Sequence, residues 1–115
     1  MGSNTRRSRT MQEPAAGDVG LAKAVAAHAY GLPAAAIAGK ERGDSRVSRA
    51  RQVAMYLSYA VFDLTMRQVA KAFGRDHSTV SYACREIEDA RLDPNIDRTM
   101  DWLETLLRRS AGMAA

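Results

Sequence analysis

The run from Arg75 to Thr79 consists of side chains that can contact DNA bases and phosphates. An aspartate such as Asp76 accepts a hydrogen bond from cytosine, and Ser78 and Thr79 can donate or accept. Asp76 can also cap a helix that begins at His77. Because a recognition helix enters the major groove by its N-terminal end, the run would then lie at the base edges. Composition alone leaves a second interpretation open, in which Asp76 is only a helix cap and His77 an ordinary surface residue.

Glycine, proline and capping residues divide the chain into helices, and no segment alternates as a strand does. The predicted helices run from about 18 to 30, 33 to 39, 47 to 60, 65 to 73, 77 to 92 and 95 to 109. The segment from Lys40 to Arg46 is predicted to be a charged loop. Two short helices joined at Gly74 match a helix-turn-helix. We therefore expect an all-α fold, a compact bundle of about five to six helices.

The 115 residues are enough for one domain. We expect a flexible basic tail over residues 1–17, a folded domain over 18–110 and a disordered end at 111–115. Cys84 is the single cysteine, and its position on a stripe with Val80 and Ile87 predicts a buried, inert thiol. His28 is predicted to be a surface or boundary residue. The sequence shows no catalytic or metal-ligand cluster, no apolar span and no second thiol. We therefore expect a non-enzymatic cytoplasmic protein associated with the nucleoid. We expect no metal, no cofactor, no membrane contact and no small-molecule substrate.

The net charge of +4 is distributed unevenly along the chain. Between Lys40 and Arg85, nine basic residues stand against four acidic ones, whereas between Glu86 and Leu107 two basic residues stand against seven acidic ones. One end of the fold should therefore attract polyanions and the other should repel them. The acidic stretch from Glu86 to Glu104, with Trp102, is either a docking face for a protein or an ordinary solvated helix.

Two blocks of the sequence carry a resemblance to a known family. They are Arg49–Leu57, with the residues Arg-Ala-Arg-Gln-Val-Ala-Met-Tyr-Leu, and Ala72–Val80, with Ala-Phe-Gly-Arg-Asp-His-Ser-Thr-Val. The second block continues with Ala-Cys-Arg from Ala83 and with Ile87. With these blocks in this order, the chain resembles the C-terminal DNA-binding domain of the bacterial replication initiator DnaA. The resemblance covers about residues 19–109. The resemblance implies an all-α fold of the Trp-repressor and DnaA C-terminal type, with double-stranded DNA as the partner.

The resemblance also implies roles for individual residues. Contacts to bases in the major groove would come from Asp76, His77 and Ser78. Contacts to the DNA backbone are expected from Arg49, Arg51, Gln52, Arg75, Thr79 and Tyr82.

The sequence departs from the family at three positions. Many members of the family have two residues in the turn where this sequence has Gly74 alone. A lysine that contacts the DNA backbone in the family falls on Tyr59. The family's minor-groove arginine falls on Gly43, although Arg42 or Arg46 could take its place. These departures predict weaker and less selective binding to the family's nine-base-pair box.

The initiator's ATPase module is absent from this sequence, so the chain is predicted to be a free-standing DNA-binding domain. We expect it to bind DnaA-box-like sites and to regulate replication initiation, or transcription near such sites. The alternative is a protein-interaction regulator that mimics the initiator's DNA-binding domain. It would compete for replication-initiation proteins that bind that domain and would retain only residual DNA binding.

Overall fold

A computed structural model describes residues 16–39 and 44–113, which form six helices and no strand. The helices are α1 (Ala16–Ala29), α2 (Ala34–Ala38), α3 (Ser45–Phe62), α4 (Met66–Phe73), α5 (His77–Ala90) and α6 (Pro94–Ser110). The all-α bundle predicted from the sequence is confirmed.

Helix α3 forms the centre of the bundle and contacts all five other helices. Its inward stripe, Ala50, Val53, Ala54 and Leu57, is completely buried, as the helical spacing predicts. The two alanines let neighbouring helices approach closely, while Val53 and Leu57 fill the space between them. The buried face fixes the rotation of α3, and therefore determines which of its polar side chains face outward.

Two capping residues set the helix starts on the side of the bundle that carries the helix-turn-helix. Thr65 and Gln68 form a reciprocal capping box at α4, with bonds of 3.0 and 2.9 Å. The Asp44 carboxylate accepts from Val47 N at 2.9 Å, so α3 begins at Ser45. The predicted loop is correspondingly shorter, and Arg46 lies exposed in the first turn of α3.

Both ends of the described chain are more helical than the sequence predicts. Helix α1 begins at Ala16, so Asp18 lies in its first turn and is not its cap. Gly112 adopts a φ of 73°, and Met113 N donates to Arg108 O at 2.9 Å, which closes α6 with a Schellman-type turn. Residues 111–113, part of the predicted disordered end, form a hydrogen-bonded turn in the structure. Residues 1–15 of the predicted tail lie outside the described residues.

The C-terminal helix is attached to the bundle by Arg91. The guanidinium donates to Asp97 at 2.6 Å, to Glu104 at 2.6 Å and also to Asp101. It donates as well to the Tyr56 hydroxyl, at 2.8 Å. Burial opposes the charge of Arg91, but the three carboxylates outweigh it and raise the pKa of the guanidinium. Part of the acidic stretch is therefore neutralised internally.

Candidate nucleic-acid interface

A single glycine makes the turn between α4 and α5. Gly74 has a left-handed backbone with φ 63° and ψ 38°, a conformation that costs other residues energy. Arg75 N donates to Ala70 O at 2.9 Å across this turn, and Gly74 N donates to Lys71 O at 3.2 Å. The turn therefore satisfies the last carbonyls of α4 and redirects the chain into α5, which begins at His77.

The N-terminal end of α5 presents its polar side chains to solvent. Asp76, His77, Ser78 and Thr79 are exposed, whereas Val80 is fully buried. Asp76 occupies the N-cap position, as predicted, but its side chain makes no capping hydrogen bond. The carboxylate is therefore not committed to the helix end, so it can accept a hydrogen bond from a base.

A groove of about 520 Å³ lies beside this helix end, between α3 and α5. Its lining consists of Ser48, Arg51, Gln52, Met55, Arg75, Thr79, Tyr82 and Ala83. Five of the six residues predicted to contact the DNA backbone are therefore brought together, with Arg49 the exception. Ser48 and Met55 were not among the predicted residues. They lie three positions before Arg51 and four after it, so helical spacing places all three on one face.

Two arginines of the groove are anchored on the carbonyl end of α2. Arg51 is buried and donates from Nε to Ile37 O at 3.2 Å and from Nη2 to Ala36 O at 2.9 Å. Arg75 Nη2 donates to Gly39 O at 3.1 Å. These bonds hold both guanidinium groups at the carbonyl end of α2, and the Arg75 bond places Gly39 beside the groove.

Arg49, which is also predicted to contact the DNA backbone, does not line the groove. Arg49 lines a separate cavity with Tyr30 and Thr99. Two residues along a helix correspond to a rotation of about 200°, so Arg49 and Arg51 face different directions. Of the candidates for a minor-groove contact, Arg46 is described and exposed, while Arg42 lies outside the described residues.

Tyr82 lies one turn after Thr79 on α5 and is 55% exposed. Its side chain borders the groove and is open to solvent, so a phosphate or a base could reach it. Tyr59, which falls on the position of the family's lysine, is 36% exposed. A phenol at that position offers a hydrogen-bond donor without a positive charge.

None of the described helices is both long enough and apolar enough to cross a membrane. Trp102 and Leu92 are the most exposed of the large apolar side chains in the described part of the chain, at 60% and 85%. The predicted inert thiol of Cys84 is buried, and burial together with nearby Glu88 raises its pKa to about 11.

Comparison with known proteins agrees with this arrangement. The family described as "Bacterial dnaA protein helix-turn-helix" matches residues 21–87. The chain is 37% identical over 75 residues to the chromosomal replication initiator protein DnaA of Thermodesulfovibrio yellowstonii, covering 64% of this chain and 17% of that protein. It is 40% identical over 84 residues to DnaA of Mycoplasma capricolum, covering 71% of this chain and 18% of that protein.

A solved structure described as a DNA replication initiation factor superposes with a TM-score of 0.74 at 27% identity. It covers 83% of this chain and 29% of the solved chain. The chain therefore spans less than a third of each of these relatives. The matched residues contain α4, Gly74 and most of α5, and the chain belongs to the bacterial DnaA helix-turn-helix family.

Proposed function

We propose that this protein binds double-stranded DNA at DnaA-box-like sites and thereby regulates replication initiation, or transcription near such sites. The observation that carries the proposal is the exposed N-terminal end of α5 beside a groove whose arginines are held by carbonyl oxygens. Family membership supports DNA binding connected with replication initiation. The protein would act as a non-enzymatic binding module on the nucleoid in the cytoplasm.

In the proposed complex, the first turn of α5 enters the major groove. Asp76, His77 and Ser78 face the base edges, where each well-made contact discriminates by about 1–3 kcal/mol. Gln52, Arg75, Thr79 and Tyr82 contact the backbone from the groove, and Arg51 contributes its charge from a more buried position. The backbone contacts give affinity and register, and the α5 side chains give sequence preference.

A minor-groove contact would come from the segment that Arg75 anchors at Gly39. Arg42 and Arg46 flank Gly43, where the family's arginine falls, and Glu41 and Asp44 reduce the local charge. A narrow minor groove attracts arginine through its concentrated negative potential. We therefore propose that the protein binds a box more weakly and less selectively than the initiator domain it resembles.

A fluorescence-anisotropy titration tests the proposal. The wild-type protein is titrated with a labelled box duplex and a scrambled duplex at two salt concentrations. We expect preference for the box at both concentrations and a steep loss of affinity for both duplexes as salt rises, because phosphate neutralisation releases counterions. Equal affinity for the two duplexes would contradict box recognition, and salt-independent binding would contradict the backbone contacts.

A second candidate function is competition for proteins that bind the DNA-binding domain of a full-length initiator. It is favoured by the exposed Trp102 and Leu92, which lie outside the groove-lining residues and are available for contact. A competition assay separates the two functions. If the protein displaces a replication-initiation protein from full-length DnaA while showing no box preference, the second function replaces the first.

A further inference from the structure

The solvent side of α4 carries two cations that the proposed DNA contacts do not use. Arg67 and Lys71 are both exposed, and they stand four residues apart, so they lie on the same face of the helix. The eight residues of α4 include no aspartate or glutamate. The acid nearest to Arg67 in the sequence, Asp63, lies outside the helix as the C-cap of α3. This α4 face, defined by Arg67 and Lys71, is therefore a compact basic surface.

The α4 face is continuous with the end of α5 that is proposed to read bases. Gly74 is exposed and follows Lys71 by three residues, so it lies at the end of the same helical face. The chain turns at Gly74 and reaches Asp76 and His77, which are also exposed, two and three residues later. One exposed surface therefore runs from Arg67 along α4 to the first turn of α5.

The α4 face is separate from the groove between α3 and α5. No residue of α4 lines that groove, although the whole of α4 is described. A helix that enters a major groove about 12 Å wide has a sugar-phosphate strand on each side of it. The first helix of a helix-turn-helix crosses the DNA backbone. With the groove against one strand, the α4 face is therefore left for the other strand.

Helix stability does not explain why an arginine stands at position 67. Arg67 is the second residue of α4, where the positive end of the helix dipole disfavours a cation. The capping box of Thr65 and Gln68 already satisfies backbone donors at this helix end, and Arg67 takes no part in it. A polyanion beside α4 would be attracted by both the arginine and the dipole.

We propose that the α4 face binds phosphates of the DNA strand that does not face the groove, through Arg67 and Lys71. The inference rests on the proposed function, because it takes the first turn of α5 to lie in the major groove. Four residues of helix rise about 6 Å, and one DNA strand carries a phosphate about every 3.4 Å of its axis, so the two side chains reach different phosphates. Their contacts add affinity for any duplex without changing the preference for the box.

Salt titrations of the double variant Arg67→Met with Lys71→Met test the inference on the box duplex and on the scrambled duplex. Each lost phosphate contact makes the slope of log affinity against log salt concentration shallower by about 0.9. We expect the slope to become shallower by about 1–2 and both affinities to fall about tenfold or more at about 0.1 M salt, with the ratio between the duplexes unchanged. An unchanged slope would overturn the inference, and so would a ratio that falls with the affinity, because the α4 face would then read bases.

Two control variants separate the position of the charges from their number. Arg98→Met with Arg109→Met removes two exposed cations from α6 and should leave the slope as in wild type. Arg67→Lys with Lys71→Arg keeps both charges on α4 and should also keep the wild-type slope. An equal loss of slope in the α6 variant would show that net charge alone is responsible, which is incompatible with a contact made by α4.

Duplexes with single methylphosphonate linkages, which carry no charge, locate the contact. Wild-type protein should bind more weakly when the substitution falls on a phosphate that the α4 face contacts, and the Arg67→Met, Lys71→Met variant should be insensitive to the same substitutions. A variant as sensitive as wild type at every linkage would refute the assignment. If wild-type protein shows no preference for the box, the proposed function fails, while the slopes on the scrambled duplex still decide whether the α4 face binds phosphates.

Discussion

Arginines in two regions of the fold are satisfied by different partners. In the groove, Arg51 and Arg75 donate to the carbonyls of Ala36, Ile37 and Gly39. Beside α6, Arg91 donates to three carboxylates and a phenol. A carbonyl fixes a guanidinium by a hydrogen bond, whereas a carboxylate also pairs with its charge. Residues of the same type therefore line a groove in one region and attach a helix in the other.

The charge asymmetry of the sequence is visible in these two regions. A groove lined by arginines that are held in place presents a preorganised basic surface to a polyanion. The acidic stretch loses part of its negative charge to Arg91, so its main described role is to hold α6 against α3 and α5.

The largest expected effect is on stability, at Arg91. Arg91→Met removes the charge that three carboxylates surround while keeping an apolar stem. The arginine side chain is 19% exposed and Asp101 is 64% exposed, so the cost should fall below that of a fully buried pair. We expect a loss of about 2 kcal/mol in the free energy of unfolding. Thermal denaturation should show a melting temperature lower by about 10 °C.

Arg98→Met is the matched control, because Arg98 is exposed on α6 and bonded only to Asn95 among the hydrogen bonds described. It should change the unfolding free energy by less than about 0.5 kcal/mol. Box affinity should be nearly unchanged in both variants. If Arg91→Met weakened DNA binding as much as it destabilised the fold, the assignment of DNA binding to the groove and of helix attachment to Arg91 would be wrong.

A mixed effect is expected at Arg51. Arg51→Met leaves the Ala36 and Ile37 carbonyls without their donor, which should cost about 1–2 kcal/mol of stability. Removing the charge should also lower the affinity for the box duplex and for the scrambled duplex about equally, because backbone contacts carry no sequence information. Urea denaturation and anisotropy titration measure the two effects separately.

Gln52→Ala separates the effect on DNA binding from the effect on stability, because Gln52 borders the same groove and is only half-buried. It should weaken DNA binding with less loss of stability than Arg51→Met. A selective loss of box binding in either variant would show that this part of the groove reads bases.

The smallest expected effect is a pH dependence at Cys84. Burial and Glu88 raise the thiol's pKa from 9.0 to about 11, so the unfolded chain ionises first as pH rises. The thiol's contribution is complete below pH 9 and is lost as pH rises through about 11. By linkage, wild-type protein should lose about 1 kcal/mol more stability than Cys84→Ala between pH 8 and pH 10. Equal losses in the two proteins, measured by urea denaturation, would contradict the raised pKa.

Local patterns predicted the fold well because capping and helical spacing act within a few residues. Thr65 caps α4, Gly74 makes the turn and the α3 stripe is buried, as the sequence indicates. Helix α3 begins two residues before its predicted start, because the Asp44 side chain caps it. The end at Met113 depends on a backbone bond to Arg108, a Schellman-type closure for which Gly112 was the available sequence signal.

The site was less predictable, because a side chain's partner depends on other helices. Nothing local shows that Arg51 and Arg75 meet the carbonyls of α2, or that Arg91 gathers three acids. Arg49 is three residues before Gln52 and two before Arg51, so helical spacing alone does not decide whether it lines the groove. The resemblance names candidate residues, and the packing of the helices decides which of them line the groove.

The central claim is that the first turn of α5 reads bases. The most direct test is a double variant, Asp76→Asn with His77→Ala, in which the ratio of the affinity for the box duplex to that for the scrambled duplex is measured. Neither side chain is buried, and Asp76 makes no capping bond, so folding should be little affected. We expect the ratio to fall about tenfold or more while affinity for the scrambled duplex changes much less. A double variant that folds normally and keeps the wild-type ratio would show that α5 does not read the box.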